Sequence, residues 1–239
     1  MIRRSATFLL IGLSLCGVSP RAATLPVPDN LIDLTSKSGE QLLVESHDLD
    51  GYVRLSANFL TQKNQAFCGV ASIVIVLNAL DVPAPPAAEY EPYHTFTQDN
   101  LLDDRAEAIL PREVVTRQGM TLDQLGRLLA LHPVQAEVHH AGEGTLEAFR
   151  SAARDYLGDP GRAVIVNYLR KTIGEEQGGH ISPLAAYDSE ADRFLILDVA
   201  RYKYPPVWVK TADLFAAMNT PDQVNNNQTR GYVLIRRSE

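Results

Sequence analysis

Three residues whose side chains can form a nucleophilic site lie far apart in this chain, at Cys68, His180 and Asp198. Cys68 opens a stretch, residues 68–80, that is apolar on nearly every face and therefore predicts a buried helix. A thiol at a helix N-terminus lies at the positive end of the helix dipole, which stabilises the nucleophilic thiolate. Taken alone, the stretch also fits an inert core cysteine, because free cysteine is among the most buried residue types.

A base and its orienting acid are indicated by two predicted strands, residues 180–187 and 194–199. In a hairpin centred on Ser189, His180 and Asp198 would be cross-strand neighbours with their side chains on one face. A carboxylate against one imidazole nitrogen fixes the tautomer and leaves the other nitrogen to face a thiol. The spacing therefore predicts a Cys-His-Asp site for acyl transfer, with the backbone N–H of Cys68 as one donor to the oxyanion.

The other histidines are weaker candidates for chemistry. Neither His47, His94 nor His132 has an acidic partner at strand spacing. The adjacent pair His139 and His140 would point to opposite faces of a strand, which makes them a poor metal pair. We interpret all five as surface or structural residues, and with only two cysteines the chain has no cysteine-cluster metal site.

The N-terminal segment, residues 1–23, has the pattern of a signal peptide. A basic start is followed by an apolar stretch, residues 6–18, that is too short to span a bilayer comfortably. Cleavage after Ala22 or Ala23 fits better than a lipoprotein site at Cys16. We therefore expect an exported protein, periplasmic in a bacterium, with no membrane segment after cleavage.

The remaining residues, 24–239, are of a length that predicts a single domain. The formal net charge is −7, and loss of the three arginines in the signal segment would bring it to −10. An acidic chain without a basic stripe is a poor candidate for nucleic-acid binding. Cleavage would also leave Cys68 as the one cysteine, so we expect no internal disulfide.

The order of predicted elements indicates an α+β fold. Helices come first and an antiparallel sheet follows, which argues against a doubly wound sheet. We predict a loop-rich arm at 24–60, an irregular stretch at 87–117 with a short helix near Asp103, amphipathic helices at 121–131 and 145–157, a strand at 163–169, a helix at 211–218 and a last strand at 232–235.

Three motifs together resemble the phytochelatin synthase family, most closely its short bacterial and cyanobacterial form. They are Gln62-x5-Cys68-Gly-Val-Ala-Ser, Gly179-His180-Ile-Ser-Pro and Leu197-Asp198-Val-Ala-Arg-Tyr-Lys-Tyr-Pro-Pro-Val-Trp. The resemblance runs in order from about residue 25 to the end. It implies a papain-like fold, with an N-terminal helical part packed on a C-terminal antiparallel sheet. The usual papain signature around the cysteine is absent, which argues against a general protease.

The resemblance implies a substrate and a reaction. The triad would be Cys68, His180 and Asp198, with Gln62 rather than Gln65 in the oxyanion hole. Glutathione would acylate Cys68 and release glycine. Water would then give γ-glutamylcysteine, whereas a second glutathione would give phytochelatin. No bound cofactor is implied; Cd²⁺ or Zn²⁺ would arrive as a glutathione thiolate complex.

The resemblance also implies substrate-binding residues. Asp222 and Arg230 match residues that hold the γ-glutamyl ammonium and carboxylate, although they also fit a surface pair. Arg201 and Tyr204 match residues of the acceptor-glutathione site. Their structural alternatives are a partner for the acidic strand end and packing against the prolines at 205–206.

Two further expectations come from the resemblance. The sequence ends just after the last predicted strand, without the cysteine-rich region of eukaryotic members, so we expect hydrolysis of glutathione to dominate over polymerisation. Bacterial relatives suggest a homodimer. Two alternatives remain open at this point: a papain-like peptidase of broader specificity, and a non-catalytic thiol- or metal-binding protein.

Overall fold

The computed structural model describes residues 24–46 and 49–238. The predicted signal peptide and its cleavage site lie outside these residues, so export stays a prediction. Within the described residues there are eight α-helices. They are α1 (Lys37–Glu45), α2 (Asp50–Ala57), α3 (Cys68–Ala79), α4 (Asp104–Ile109), α5 (Arg112–Gln118), α6 (Leu122–Leu129), α7 (Leu146–Leu157) and α8 (Thr211–Met218).

Seven strands of the described chain form one antiparallel sheet, in the order β1-β6-β5-β4-β3-β7-β2. The predicted α+β class is confirmed, and the architecture is compatible with a papain-like fold. The strands are β1 (Ile32–Asp33), β2 (Val134–His140), β3 (Arg162–Leu169), β4 (Gly179–Asp188), β5 (Arg193–Ile196), β6 (Val207–Lys210) and β7 (Gly231–Arg237).

Helix α3 is the buried helix that the apolar stretch predicted. Every residue of α3 except Asn78 is buried, which explains why the stretch is apolar on all faces. The Ser72 hydroxyl lies 2.8 Å from the carbonyl oxygen of Cys68 and 3.2 Å from that of Ile181 in β4. This contact fixes the first turn of α3 against the beginning of β4, where His180 lies.

The two sheet faces carry separate apolar clusters. One cluster contains α3 and α6 together with inward residues such as Ile165 and Val233. The other contains apolar residues of α7 and α8, including Phe149 and Leu214, against Val164. The sheet is therefore covered on both faces, which holds its strands rigidly beneath the N-terminus of α3.

The predicted loop-rich arm at 24–60 is wrong, because α1 and α2 lie within it. The side chain of Ser36 caps α1 by accepting from the Gly39 N–H at 3.1 Å. The indole of Trp208 in β6 donates to the Gly39 carbonyl oxygen at 3.1 Å, which docks α1 on the sheet edge. These two helices are short and only moderately amphipathic, so their sequence gave little indication of a helix. Packing on the sheet stabilises them.

The predicted hairpin centre at Ser189 is also wrong. Asp188 pairs with Arg193, so the turn is centred between residues 190 and 191, and a β-bulge between Leu184 and Ala186 shifts the register. Strand β5 ends at Ile196, so Asp198 lies beyond the last ladder pair and is no direct cross-strand neighbour of His180. A bulge bends its strand and redirects side chains, which a count from the turn cannot foresee.

None of the helices in the described part of the chain has both the length and the apolar character needed to cross a bilayer.

Candidate active site

The Cys68 thiol lies at the N-terminus of α3 and forms a hydrogen bond with His180. The residue is only 8% exposed. Burial alone would raise the pKa of the thiol. The hydrogen bond and positive charge of His180, with backbone hydrogen bonds from Ile181 and Gly69, outweigh burial and hold the pKa below its usual value. The sulfur is therefore poised to lose its proton to the imidazole.

The His180 ring is held on its other side by an acid. Its Nε2 lies 2.8 Å from Asp198 Oδ1 and 2.9 Å from the Ser182 hydroxyl, which leaves Nδ1 for the Cys68 thiol. Burial lowers the pKa of His180, but the charge of Asp198 and the hydrogen bonds to Asp198 and Cys68 raise it above its usual value despite the nearby Arg170. The structure therefore brings together the three residues that the sequence singled out.

A buried cation, Arg170, completes this arrangement and was missed by the sequence analysis. Its guanidinium donates to both oxygens of Asp198, at 2.7 and 3.0 Å, and also pairs with Glu175. Burial would raise the pKa of Asp198, but His180 and Arg170 together hold it well below its usual range. Asp198 therefore stays ionised while completely buried, and Arg170 rather than Arg201 is the partner of the acidic strand end.

One cavity of about 480 Å³ contains both the nucleophile and the predicted γ-glutamyl site. Arg230 and Asp222 lie in its wall, with 3.6 Å between Arg230 Nη2 and Asp222 Oδ1. A hydrogen bond from Arg230 Nη1 to the Pro221 carbonyl oxygen, at 2.6 Å, holds the Arg230 side chain in this position. The cavity also contains Asn64, Gln65, Ala66, Cys68, Thr116, Arg117, Gln118, Gly119, Met120, Asn167, Gly179, His180, Ile181 and Val224.

An acid beside a forked cation suits a zwitterion, because the carboxylate can accept from an ammonium and the guanidinium can donate to a carboxylate. The arrangement can therefore hold an amino-acid group at a fixed position relative to the Cys68 sulfur.

Comparison with known sequences identifies the family of this chain. A sequence model of the family described as phytochelatin synthase matches residues 22–232, which is most of the chain. The chain belongs to the phytochelatin synthase family.

Relatives in this family include plant and yeast proteins. The chain is 34% identical over 214 residues to glutathione gamma-glutamylcysteinyltransferase 3 of Lotus japonicus, covering 88% of this chain and 43% of that protein. It is 32% identical over 217 residues to glutathione gamma-glutamylcysteinyltransferase 1 of Arabidopsis thaliana, covering 90% and 43%. For the Schizosaccharomyces pombe glutathione gamma-glutamylcysteinyltransferase the identity is 26% over 187 residues, covering 78% and 44%. The chain thus spans less than half the length of the curated relatives it matches.

In this phytochelatin synthase family member, Gln62 lies beside the site with its amide hydrogens already engaged. Its Nε2 donates to the Asn64 carbonyl oxygen at 2.6 Å and to the Tyr202 hydroxyl at 3.1 Å. Its Oε1 is buried without a hydrogen-bond partner among the described residues. Gln62 lines a second cavity, of about 440 Å³, that also contains His180. Its oxyanion role stays a prediction, and requires one of these hydrogen bonds to be exchanged for the substrate oxygen.

The two residues that the resemblance assigned to an acceptor site lie outside the cavity of Cys68. The guanidinium of Arg201 lies over the ring of Phe59, at 5.1 Å from its centroid. Tyr204 is buried, its hydroxyl accepts from the Glu176 N–H at 2.9 Å, and Arg170 lies over its ring at 5.3 Å. These contacts favour the structural interpretation of Tyr204, since its hydroxyl and ring are both occupied.

Two further cavity residues were not singled out from the sequence. Asn167 is 3% exposed and lies in the buried part of strand β3, so a polar residue among buried apolar neighbours was the available signal. Arg117 lies near the end of α5, in a stretch predicted to be irregular. Among residues 24–46 and 49–238, no group of three His, Cys, Asp or Glu side chains is arranged to hold a metal ion.

Proposed function

We propose that this protein is a glutathione γ-glutamylcysteinyltransferase that acylates Cys68. The observation that carries the proposal is that the Cys68–His180 pair and the Asp222–Arg230 pair line the same cavity. A peptidase of broad specificity has no need of a zwitterion site beside its nucleophile. The names of the plant and yeast relatives support the same activity.

In the first half-reaction, the thiolate of Cys68 attacks the carbonyl carbon that joins the cysteine of glutathione to its glycine. The C–N bond of the tetrahedral intermediate breaks, and the imidazolium of His180 gives its proton to the leaving glycine amine. A γ-glutamylcysteinyl thioester remains on the sulfur. Asp198 stabilises the imidazolium and keeps its ring oriented.

Asp222 and Arg230 would hold the γ-glutamyl ammonium and carboxylate. This contact would fix the scissile carbonyl relative to the sulfur. The two groups would then react as if they belonged to one molecule, which lowers the entropic cost of the step. The backbone N–H of Cys68 and the amide of Gln62 would donate to the oxyanion. One such donor contributes about 3–4 kcal/mol to lowering the barrier.

In the second half-reaction, His180 takes a proton from the acceptor, which attacks the thioester carbonyl and releases the Cys68 thiolate. Water gives γ-glutamylcysteine, whereas the α-amine of a second glutathione gives phytochelatin. We propose that hydrolysis dominates, because Tyr204 is buried with its hydroxyl and ring both occupied and would offer no contact to a second glutathione. Cd²⁺ or Zn²⁺ would act as part of a glutathione thiolate substrate that favours transfer.

Product analysis tests the proposal. Purified protein is given glutathione with and without Cd²⁺, and glycine, γ-glutamylcysteine and phytochelatin-2 are measured by mass spectrometry. Equal amounts of glycine and γ-glutamylcysteine are expected without metal, and none with Cys68→Ser. Phytochelatin-2 as the main product without metal would contradict the dominance of hydrolysis.

The competing functions are separated by two controls. An α-linked Glu-Cys-Gly peptide places its ammonium and carboxylate differently, so turnover at the glutathione rate would indicate a broad peptidase. Absence of any turnover, together with iodoacetamide labelling of Cys68 no faster than that of a free thiol, would indicate a non-catalytic thiol-binding protein.

A further inference from the structure

We propose that Asp123 is a positioning residue that ties the loop 220–230 to helix α6 and so sets the width of the cavity for the γ-glutamyl group. The proposal rests on the proposed function for the identity of the substrate. The loop 220–230 carries Asp222 and Arg230, so its position decides where a bound zwitterion lies. We call the contacts among Asp123, His140 and Asn225 the clasp.

The two carboxylate oxygens of Asp123 contact different parts of the protein. Oδ2 accepts from the Asn225 side-chain amide at 2.9 Å, within the loop. Oδ1 lies 3.2 Å from Nε2 of His140 at the end of β2. The Nδ1 of His140 in turn bonds to the carbonyl oxygen of Thr229, near the other end of the loop. One carboxylate therefore holds the middle of the loop directly and its end through an imidazole.

His140 joins Asp123 to the end of the loop. Its side chain is 8% exposed, and its two ring nitrogens face the Thr229 carbonyl oxygen and the Asp123 carboxylate. The buried ring is therefore held from both sides and connects the first turn of α6 to residue 229.

The clasp connects two segments that line the cavity. Residues 116–120 line it and lead directly into the capped N-terminus of α6, whose second residue is Asp123. Asp222, Val224 and Arg230 of the loop also line it. Loss of the clasp would let these two segments move apart without touching Cys68, His180 or Asp198.

The loop has few other anchors near its centre. Asn226 and Asn227 adopt left-handed backbone conformations, with φ of 53° and 59°. The backbone N–H groups at 225 and 227 both donate to the carbonyl oxygen of Asp222, which is a bond within the loop. At its end, the Thr229 hydroxyl accepts from the Gly142 N–H at 2.9 Å. The Asn225–Asp123 bond is therefore the side-chain contact that ties the centre of the loop to α6.

The test compares D123A with E147A. Both residues are the second residue of an amphipathic helix, so both variants lose an acid from a first turn, but only Asp123 contacts the loop. For D123A we expect the KM for glutathione to rise about tenfold, with kcat within about twofold of wild type, because only substrate binding is weakened. E147A should match wild type in both parameters. An unchanged KM for D123A would overturn the proposal.

A second variant distinguishes positioning from a general loss of stability. N225A removes the other half of the clasp, and the double variant D123A/N225A should have a KM no higher than that of D123A, because both substitutions remove the same contact. If the two substitutions instead raised KM by factors that multiply in the double variant, the clasp would be contradicted. D123N keeps one accepting oxygen for the Asn225 amide but replaces the other oxygen with a donor, so its KM is expected to lie between those of wild type and D123A.

Amide hydrogen exchange provides a readout that does not depend on turnover. Peptides covering 220–230 should exchange about tenfold faster in D123A than in E147A, while peptides covering 68–80 should be unchanged. Equal exchange of 220–230 in the two variants would overturn the clasp even if glutathione is turned over. Faster exchange in D123A with no turnover of glutathione by wild type would support the clasp and reject the proposed substrate.

Discussion

At the scale of single residues, the site is a chain of charges that depend on one another. Arg170 keeps Asp198 ionised, Asp198 raises the pKa of His180, and His180 lowers the pKa of Cys68. Each buried charge would be costly by itself, and each is paired with the next. The pairing leaves the thiol, at the end of the chain, as the group that can exchange its proton readily.

The first prediction concerns the pH dependence of the thiol. Burial of Cys68 raises its pKa and His180 lowers it, so replacement by His180→Gln leaves burial to dominate. We expect the iodoacetamide alkylation rate of wild-type Cys68 to rise at a pH below the free-thiol pKa of about 8.5, and the curve for H180Q to lie at higher pH. The measurement is the alkylation rate between acidic and alkaline pH, followed by intact mass.

His94→Gln serves as the control, because His94 is an exposed histidine whose contact is the Ala84 carbonyl oxygen. Its alkylation curve should overlay that of wild type. In turnover, kcat/KM should rise as the thiol loses its proton and fall above the raised pKa of His180, since the imidazolium is the acid. If the alkylation curve of H180Q had the same midpoint pH as that of wild type, the ion pair between Cys68 and His180 would be rejected.

At the scale of elements, the site forms where the start of helix α3 meets the start of strand β4. The Ser72 hydroxyl reaches across to the Ile181 carbonyl oxygen. The neighbouring strands β3, β7 and β2 continue the sheet toward the loop 220–230. Close contact between β7 and β2 therefore decides where Arg230, the residue before β7, enters the cavity.

The second prediction tests this contact with Gly231→Ala. A Cβ at Gly231 would lie 1.9 Å from the His139 carbonyl oxygen, and a backbone atom in the sheet cannot move aside easily. We expect a loss of about 1–3 kcal/mol in the free energy of unfolding, as for other overpacked sites. Gly144→Ala is the control, because its Cβ would meet no atom within 4 Å. Urea unfolding measures both, and equal midpoints would show that β2 and β7 have room to separate.

At the scale of the whole molecule, two apolar clusters share one sheet. Trp208, the one tryptophan of the sequence, is fully buried and belongs to the cluster that contains α3. The cluster around Phe149 lies on the opposite face. Both clusters pack on the same strands. If those strands unfold from one cluster, the apolar residues of the other cluster are exposed as well.

The third prediction is a single cooperative transition, with tryptophan fluorescence and far-UV circular dichroism giving the same midpoint. Val74→Ala in α3 removes two fully buried methyl groups and should cost about 2–3 kcal/mol. Val44→Ala in α1 makes the same change at a side chain that is 80% exposed and should cost less than about 0.5 kcal/mol. Separate midpoints for the two probes would show that the two faces unfold independently.

Local patterns in the sequence determined a large part of this protein. The apolar run predicted α3, the amphipathic pattern at 121–131 predicted α6, and the element order predicted the α+β class. Three motifs identified the family. These features could be predicted because helix periodicity, capping and motif spacing are properties of neighbouring residues.

Only the tertiary structure decided how distant residues meet. Arg170 lies 28 residues from Asp198, and the bulge in β4 set a register that counting from the turn did not give. The occupied amide of Gln62 depends on Tyr202, 140 residues away, and α1 needs Trp208 to dock. Each of these contacts results from packing between elements, and no local pattern specifies which partner a buried charge or amide will find.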